Sequence, residues 1–205
     1  RQGFGNILAE GVMRAAEAIG GEALNCAVYQ KKGHAPRGHD HRARWVEILD
    51  CATSGTGTIE TGSVRISDPF SPESVAQACA KNKHRFFVDS LVMCMFPTMT
   101  MEAGPMPHIV DLLKSATGWD FTEEEASLHG QRVANLMRVF NIRQGITPEM
   151  EAPSVRYGSA PVDGPVKGKS IVPHWPELLD EYYKNMGWDR KTGKPLPDTL
   201  KAVGL

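Results

Sequence analysis

The sequence predicts a mainly α-helical fold with few or no strands, on three observations. Apolar residues recur at helical spacing in several separate stretches. Helix start signals stand in front of those stretches and glycines behind them. Few segments alternate with period two over any length. The chain has 205 residues, 23 Lys+Arg against 24 Asp+Glu, and a formal net charge of -1. That balance excludes binding to nucleic acid through a general basic field. Hydrophobic residues make up 41% of the chain and its mean hydropathy is -0.31, the profile of an ordinary globular chain. No apolar run approaches the ~20 residues of a membrane helix.

Residues 4–19 place Ile7, Leu8, Val12, Ala15, Ala16 and Ile19 on one helical stripe ended by Gly20-Gly21. Residues 31–44 (KKGHAPRGHDHRAR) are rich in Lys, Arg and His, and Gly33, Pro36 and Gly38 forbid a regular helix, so an ordered polar loop is expected. Cys51 to Ser63 is a small-residue stretch in which backbone can approach a ligand closely. Ser71 caps a helix with Pro72 at its first position, running to about Lys83, and a second apolar helix is expected around 85–95. Thr122 and Glu125 form a capping box. The helix behind it offers Val133, Leu136, Met137 and Phe140 at core spacing and ends near Gly145. After a Pro- and Gly-rich connection (148–173), Leu178, Leu179, Tyr182, Tyr183 and Met186 form a last stripe closed by Gly187.

Three groups of residues offer chemistry. Cys26, Cys51, Cys79 and Cys94 include no closely spaced pair, so they cannot make a self-contained zinc or iron–sulfur site of the usual kind. Cys26 and Cys79 read as small buried residues. Cys94 stands five residues after Asp89, a thiolate and a carboxylate able to touch two parts of one cofactor. In the polar loop, His34, His39 and His41 with Asp40 are conceivable metal ligands. The basic surplus fits an anion better, with Lys32, Arg37, Arg42 and Arg44 as donors, and a solvated turn fits equally well. The run Thr53–Glu60 lacks the Gly-Lys-Ser/Thr ending of a nucleotide loop and leaves Glu60 as a candidate proton donor or acceptor.

In this order the pieces resemble the C-terminal portion of the aldehyde ferredoxin oxidoreductase family. The resemblance is carried by Asn6–Gly11 with Arg14-Ala15-Ala16, by Lys32-Gly33, Pro36, Asp40 and Arg42, and by Ala52-Thr53-Ser54. Asp89 to Cys94 is similar to the second of the family's two pterin-binding motifs. Thr117-Gly118-Trp119, Arg138 to Gly145, and Tyr182-Tyr183 to Pro195 follow in family order. The resemblance implies helical domains of the aldehyde ferredoxin oxidoreductase type, with residues 1–100 carrying the cofactor-facing loops and 101–205 a second helical domain and tail. It also implies a tungsten (or molybdenum) bis-pterin and a four-iron four-sulfur cluster, with Cys94 as one cluster ligand and Asp89 bonded to a pterin. Val92, Met93, Lys32, Asp40 and Arg42 would line the cofactor, and Glu60 with His39 or His41 would handle protons. Implied partners are a ferredoxin or iron–sulfur electron-transfer subunit and a base domain supplied upstream or by another polypeptide; a homo-oligomer is compatible. A cytoplasmic, anaerobic setting follows from the cofactors and from the lack of a leader.

The chain departs from the family pattern in two places. Val92-Met93 replace Gly-Leu of the pterin motif, and Glu60 stands where aldehyde-oxidising members carry histidine. The second departure and the polar loop are closer to the benzoyl-coenzyme A reductase branch. The alternative class is a helical assembly or electron-transfer subunit without cofactor, against which Asp89 and Cys94 argue.

Overall fold

The computed structural model describes residues 2–36, 38–55, 68–81, 84–94 and 106–205. It is helical throughout: among the described residues only two isolated antiparallel bridges occur, Gln30 with Pro153 and Trp188 with Pro195. No helix among those residues is long and apolar enough to cross a membrane.

The N-terminal stripe forms two helices rather than one, α1 (Gly3–Leu8) and α2 (Val12–Ile19). Gly11 breaks it with a φ of +88°, its carbonyl accepting the first bond of α2 from Ala15. Leu8 and Ile19 are therefore exposed, and only Ala15 and Ala16 are buried in α2. The short α3 (Ala23–Cys26) leads into the polar loop, which ends in a 3-10 turn, His41–Ala43. Asp40 caps that turn, its carboxylate accepting from the Arg42 amide at 3.0 Å. Cys26, expected inside, is exposed at the end of this short helix; Cys79 is buried as expected.

The main hydrophobic cluster joins α4 (Trp45–Thr53), α5 (Pro72–Lys81) and α10 (Trp175–Met186), with Ile48, Leu49, Val75, Leu178 and Tyr183 sealed from solvent. Ser71 caps α5 as its sequence predicts, its hydroxyl accepting from the Ser74 amide at 3.3 Å. In α10 the expected stripe holds: Leu178, Tyr182, Tyr183 and Met186 are buried, and Leu179 packs at the edge. A second cluster joins α6 (His84–Ser90), α7 (Met106–Thr117) and α8 (Glu123–Arg143) through Phe87, Val88, Ile109, Val110 and Ala126. Both clusters draw on residues from either side of position 100. Two short helices, α9 (Val155–Gly158) and α11 (Pro197–Ala202), complete the set among the described residues.

Thr122 and Glu125 form the expected capping box of α8, with reciprocal bonds of 3.1 and 2.9 Å. The buried face of α8 is only in part the expected one: Val133 and Met137 are half-buried. Leu136 and Phe140 are more than half exposed, while Ala134, Asn135 and Arg138 are buried. Specific polar partners select that face: Asn135 accepts a bond from the Trp188 indole at 2.9 Å, and Arg138 enters a buried ion pair described below. A charge this deep is tolerated only where it is paired, so the pair dictates the rotation of the helix.

Among the described residues four helices close with the same pair of bonds, the 6→1 and 5→2 pattern that requires a left-handed residue just past the helix. In α8, α10 and α11 that residue is Gly145, Gly187 and Gly204. In α6 it is Val92, at φ +57°, with its amide on the Asp89 carbonyl at 3.0 Å and the Met93 amide on Val88 at 3.4 Å. Among the described residues Val92 is the one non-glycine with positive φ.

Candidate functional site

The residues singled out by sequence gather in two places. The first is a cavity of about 40 Å³ where α4, α5, α6, α8 and α10 meet. Ser54 and Gly55 line it from the end of α4, Asp89 from the last turn of α6, Arg138 from α8, and Tyr182 and Trp188 from α10 and its exit. Four of the stretches that carry the family resemblance therefore converge on one small space. Asp89 lies at its rim, its side chain nearly half exposed, with Arg85 one turn earlier at 3.4 Å. Beyond the left-handed turn at Val92, Cys94 is exposed and free, whereas Cys51 and Cys79 are buried. Burial in apolar surroundings pushes the Cys79 thiol well above its usual range. Val92 is 94% exposed. The backbone thus takes the geometry of a glycine turn with a valine at its centre.

Beneath this cavity lies a buried polar network. Arg138 grips both carboxylate oxygens of Glu151 at 2.6 and 3.0 Å, donates to the Gly193 carbonyl at 2.8 Å, and meets the Tyr183 hydroxyl at 3.1 Å. Tyr183 also donates to Glu151, and the guanidinium lies 4.4 Å from the Trp188 ring centre. Burial raises the Tyr183 hydroxyl pKa, and the Glu151 charge raises it further, so this tyrosine stays a donor. Lys32 completes the set, 3.7 Å from Glu151, with its ammonium on the Ser54 carbonyl at 2.7 Å. Burial brings its pKa down to about 8, partly offset by Glu151 and reinforced by Arg138. Asn141 holds the next carbonyl, Gly55, at 2.9 Å. Two side chains from distant parts of the chain thus fix the exit of α4, the point from which the chain proceeds to Glu60. Glu60 itself lies outside the described residues, as does Arg37.

The second place is the polar loop, beside a cavity of about 470 Å³ lined by Val28, His39, Asp40, His41, Arg156 and Tyr157 among others. Its lining shares no residue with the first cavity. Asp40 and Arg42 pair with each other at 2.7 to 3.2 Å, which pulls the Asp40 pKa down to about 2. Arg44 pairs with Glu47 at 2.6 Å. Three of the four expected anion donors, Lys32, Arg42 and Arg44, thus face the chain's own acceptors. His41 is buried, with Nδ1 2.5 Å from the Tyr157 hydroxyl and Nε2 3.0 Å from Glu47. His39 stands exposed beside it, ring centres 6.1 Å apart.

Sequence reasoning missed Glu47, Glu151 and Tyr157. Glu47 was open to detection, a lone carboxylate in the otherwise apolar start of α4 (WVEIL). Glu151 and Tyr157 reach their partners only through the tertiary fold and carry no local signal.

Over residues 1–205 the chain matches the profile of "Aldehyde ferredoxin oxidoreductase, domains 2 & 3". The chain belongs to the aldehyde ferredoxin oxidoreductase family. All of it aligns, at 32% identity, with a tungsten-containing aldehyde ferredoxin oxidoreductase of Pyrococcus furiosus, and spans 35% of that protein's length. The enzyme of the same description from Thermococcus kodakarensis is 31% identical over 92% of this chain and 32% of its own length. A more distant relative is an aliphatic sulfonate oxidoreductase, WOR-like subunit, of P. furiosus, 27% identical over all of this chain and 33% of its own. The chain thus spans about a third of the length of the curated relatives it matches.

Proposed function

We propose that this chain forms the helical part of a tungstopterin oxidoreductase that couples two-electron substrate chemistry to a ferredoxin-like carrier. The observation carrying this reading is the convergence of the family-like stretches on one cavity, with the Asp89 carboxylate at its rim and the exposed Cys94 thiol past the adjoining turn. The donor set suits the group. A carboxylate accepts bonds from pterin N–H donors, and an accessible thiol can become an iron-bound thiolate, which the buried Cys51 and Cys79 cannot readily do. When bound, a tungsten (or molybdenum) pterin beside a four-iron four-sulfur cluster supplies the redox chemistry; the protein supplies binding, orientation and protons.

In this reading Asp89 orients the pterin, Cys94 holds one iron, and the Val92-Met93 turn sets the distance between them. Residues 1–100 carry these cofactor-facing loops, and residues 101–205 form a second helical domain and C-terminal tail. Lys32 acts from beneath by fixing the exit of α4, and Glu60 gives or takes a proton. Asp40 and Arg42 pair with each other beside the separate cavity and fix the course of the loop there. His39 and His41, the other residues expected to handle protons, stand with Glu47 at the separate cavity and take a different part below. The remaining cluster ligands and the first pterin motif come from the base domain. Substrates of two kinds suit the reading, aldehydes and aromatic acyl thioesters, with Glu60 in place of histidine favouring the second.

The test is metal analysis of the anaerobically purified protein with all its polypeptides. About one tungsten and about four irons per chain are expected. Cys94→Ser should lower cluster iron and reductant-linked activity together. Full iron in that variant overturns the ligand assignment. A folded, complete and metal-free protein overturns the enzyme reading in favour of an assembly or electron-transfer subunit.

A further inference from the structure

We propose that His39, His41 and Glu47 form a binding site for a zinc ion at the wall of the larger cavity, separate from the pterin site. One ligand atom from each of the three side chains lies within 4.8 Å of the other two. His41 and Glu47 are buried and His39 is exposed. Two imidazoles and a carboxylate are a donor set that zinc accepts, with a fourth position left open.

The geometry favours a metal between His41 and Glu47. Their Nε2 and Oε2 atoms are 3.0 Å apart. Around a tetrahedral zinc with bonds of about 2.0–2.1 Å, ligand atoms stand about 3.3 Å apart. Zinc thus fits between these two atoms with an opening of only a few tenths of an ångström, and any proton held there is released on binding. His39 closes the remaining distance by side-chain rotation, which its exposure leaves unhindered. His39 and His41 both line the cavity of about 470 Å³, so the open position is available to water or a small ligand from it.

Both buried ligands already have the outer partners that metal ligands need. His41 Nδ1 lies 2.5 Å from the Tyr157 hydroxyl, and with Nδ1 as the donor there the tautomer leaves Nε2 for the metal. Arg44 holds the other Glu47 oxygen at 2.6 Å and orients the carboxylate. The position of the ligands explains their order in the chain: the Asp40-capped 3-10 turn sets His41 inward, and Glu47 follows on the first turn of α4.

The test uses the whole protein, stripped of loosely held metal and titrated with zinc alone. Wild type should retain about one zinc per chain after gel filtration, and His39→Ala and Glu47→Gln should lose it. Tyr157→Phe, which keeps the ring and removes the outer partner, should bind about 10- to 100-fold more weakly. X-ray absorption at the zinc edge should show nitrogen and oxygen ligands without sulfur. Equal zinc in wild type and His39→Ala overturns the proposal, as does sulfur scattering, which puts the metal on cysteine. Should Glu47→Gln fail to fold, His39→Ala decides alone, because His39 is exposed and removing its side chain leaves the core intact. Zinc content is read independently of tungsten and iron, so this proposal and the pterin reading can fail separately.

Discussion

Val92 closes α6 in a left-handed conformation that glycine supplies at the equivalent points of α8, α10 and α11. For an L-residue that conformation costs about 1–2 kcal/mol, and for a β-branched residue it is a true outlier. Because the Val92 side chain is 94% exposed, removing it forfeits no buried contact. Against the relief stands the extra unfolded-chain freedom of glycine, about 0.5–1 kcal/mol. Val92→Gly should therefore stabilise the protein by about 1 kcal/mol, a rise in Tm of about 2–4 °C for a chain of this size. Thermal and urea unfolding of wild type, Val92→Gly and Val92→Ala would measure it, with Val92→Ala between the other two. Gly145→Val is the reciprocal control: its φ is +94° and an added Cβ meets nothing within 4 Å, so strain alone should destabilise it. Were Val92→Gly no more stable than wild type while Gly145→Val loses stability, the reasoning would be refuted. If Asp89 and Cys94 are spaced by this turn, Val92→Gly should also leave metal content unchanged, since the backbone conformation is already that of glycine.

Two other perturbations follow from the buried network. Glu151→Gln should cost about 3–5 kcal/mol in urea unfolding, because it leaves the Arg138 guanidinium and the Lys32 ammonium buried without their counter-charge; a loss below about 1 kcal/mol would mean that the pair is not buried as described. Lys32 has a pKa of about 8 in the fold against 10.5 when unfolded, so between those values the unfolded chain holds the extra proton. Stability should rise with pH across that window relative to Lys32→Met, by as much as about 3 kcal/mol. A flat difference between pH 7.5 and 10 would show that the ammonium is not depressed.

The sequence made local features legible and long-range ones not. Ser71, the Thr122–Glu125 box and the Leu178–Met186 stripe are decided by neighbours within a turn or two, and each is found where expected. The apolar spacing of α8 misleads because Glu151 and Trp188, both outside the helix, choose its inner face. The split of the first stripe turns on the φ of Gly11, which helical spacing does not reveal. At the candidate site, Asp89 and Cys94 are readable from type and order, whereas the tyrosine behind His41 lies 116 positions away.

The network of Arg138, Glu151, Tyr183 and Gly193 has a consequence for how such a chain can change over time. Each member is tolerable only because of the others: the charge needs the carboxylate, and the guanidinium lies so close to Gly193 that a methyl group there would collide with it. Replacing Arg138 or Glu151 alone strands a buried charge, and any side chain at Gly193 meets the guanidinium. Paths through sequence space at these four positions therefore run across double substitutions whose single steps are valleys. Substitution of Leu136 or Phe140, exposed on the other face of the same helix, strands no buried charge. One helix thus sets two different tolerances, and the stricter one lies under the cavity that Asp89 borders.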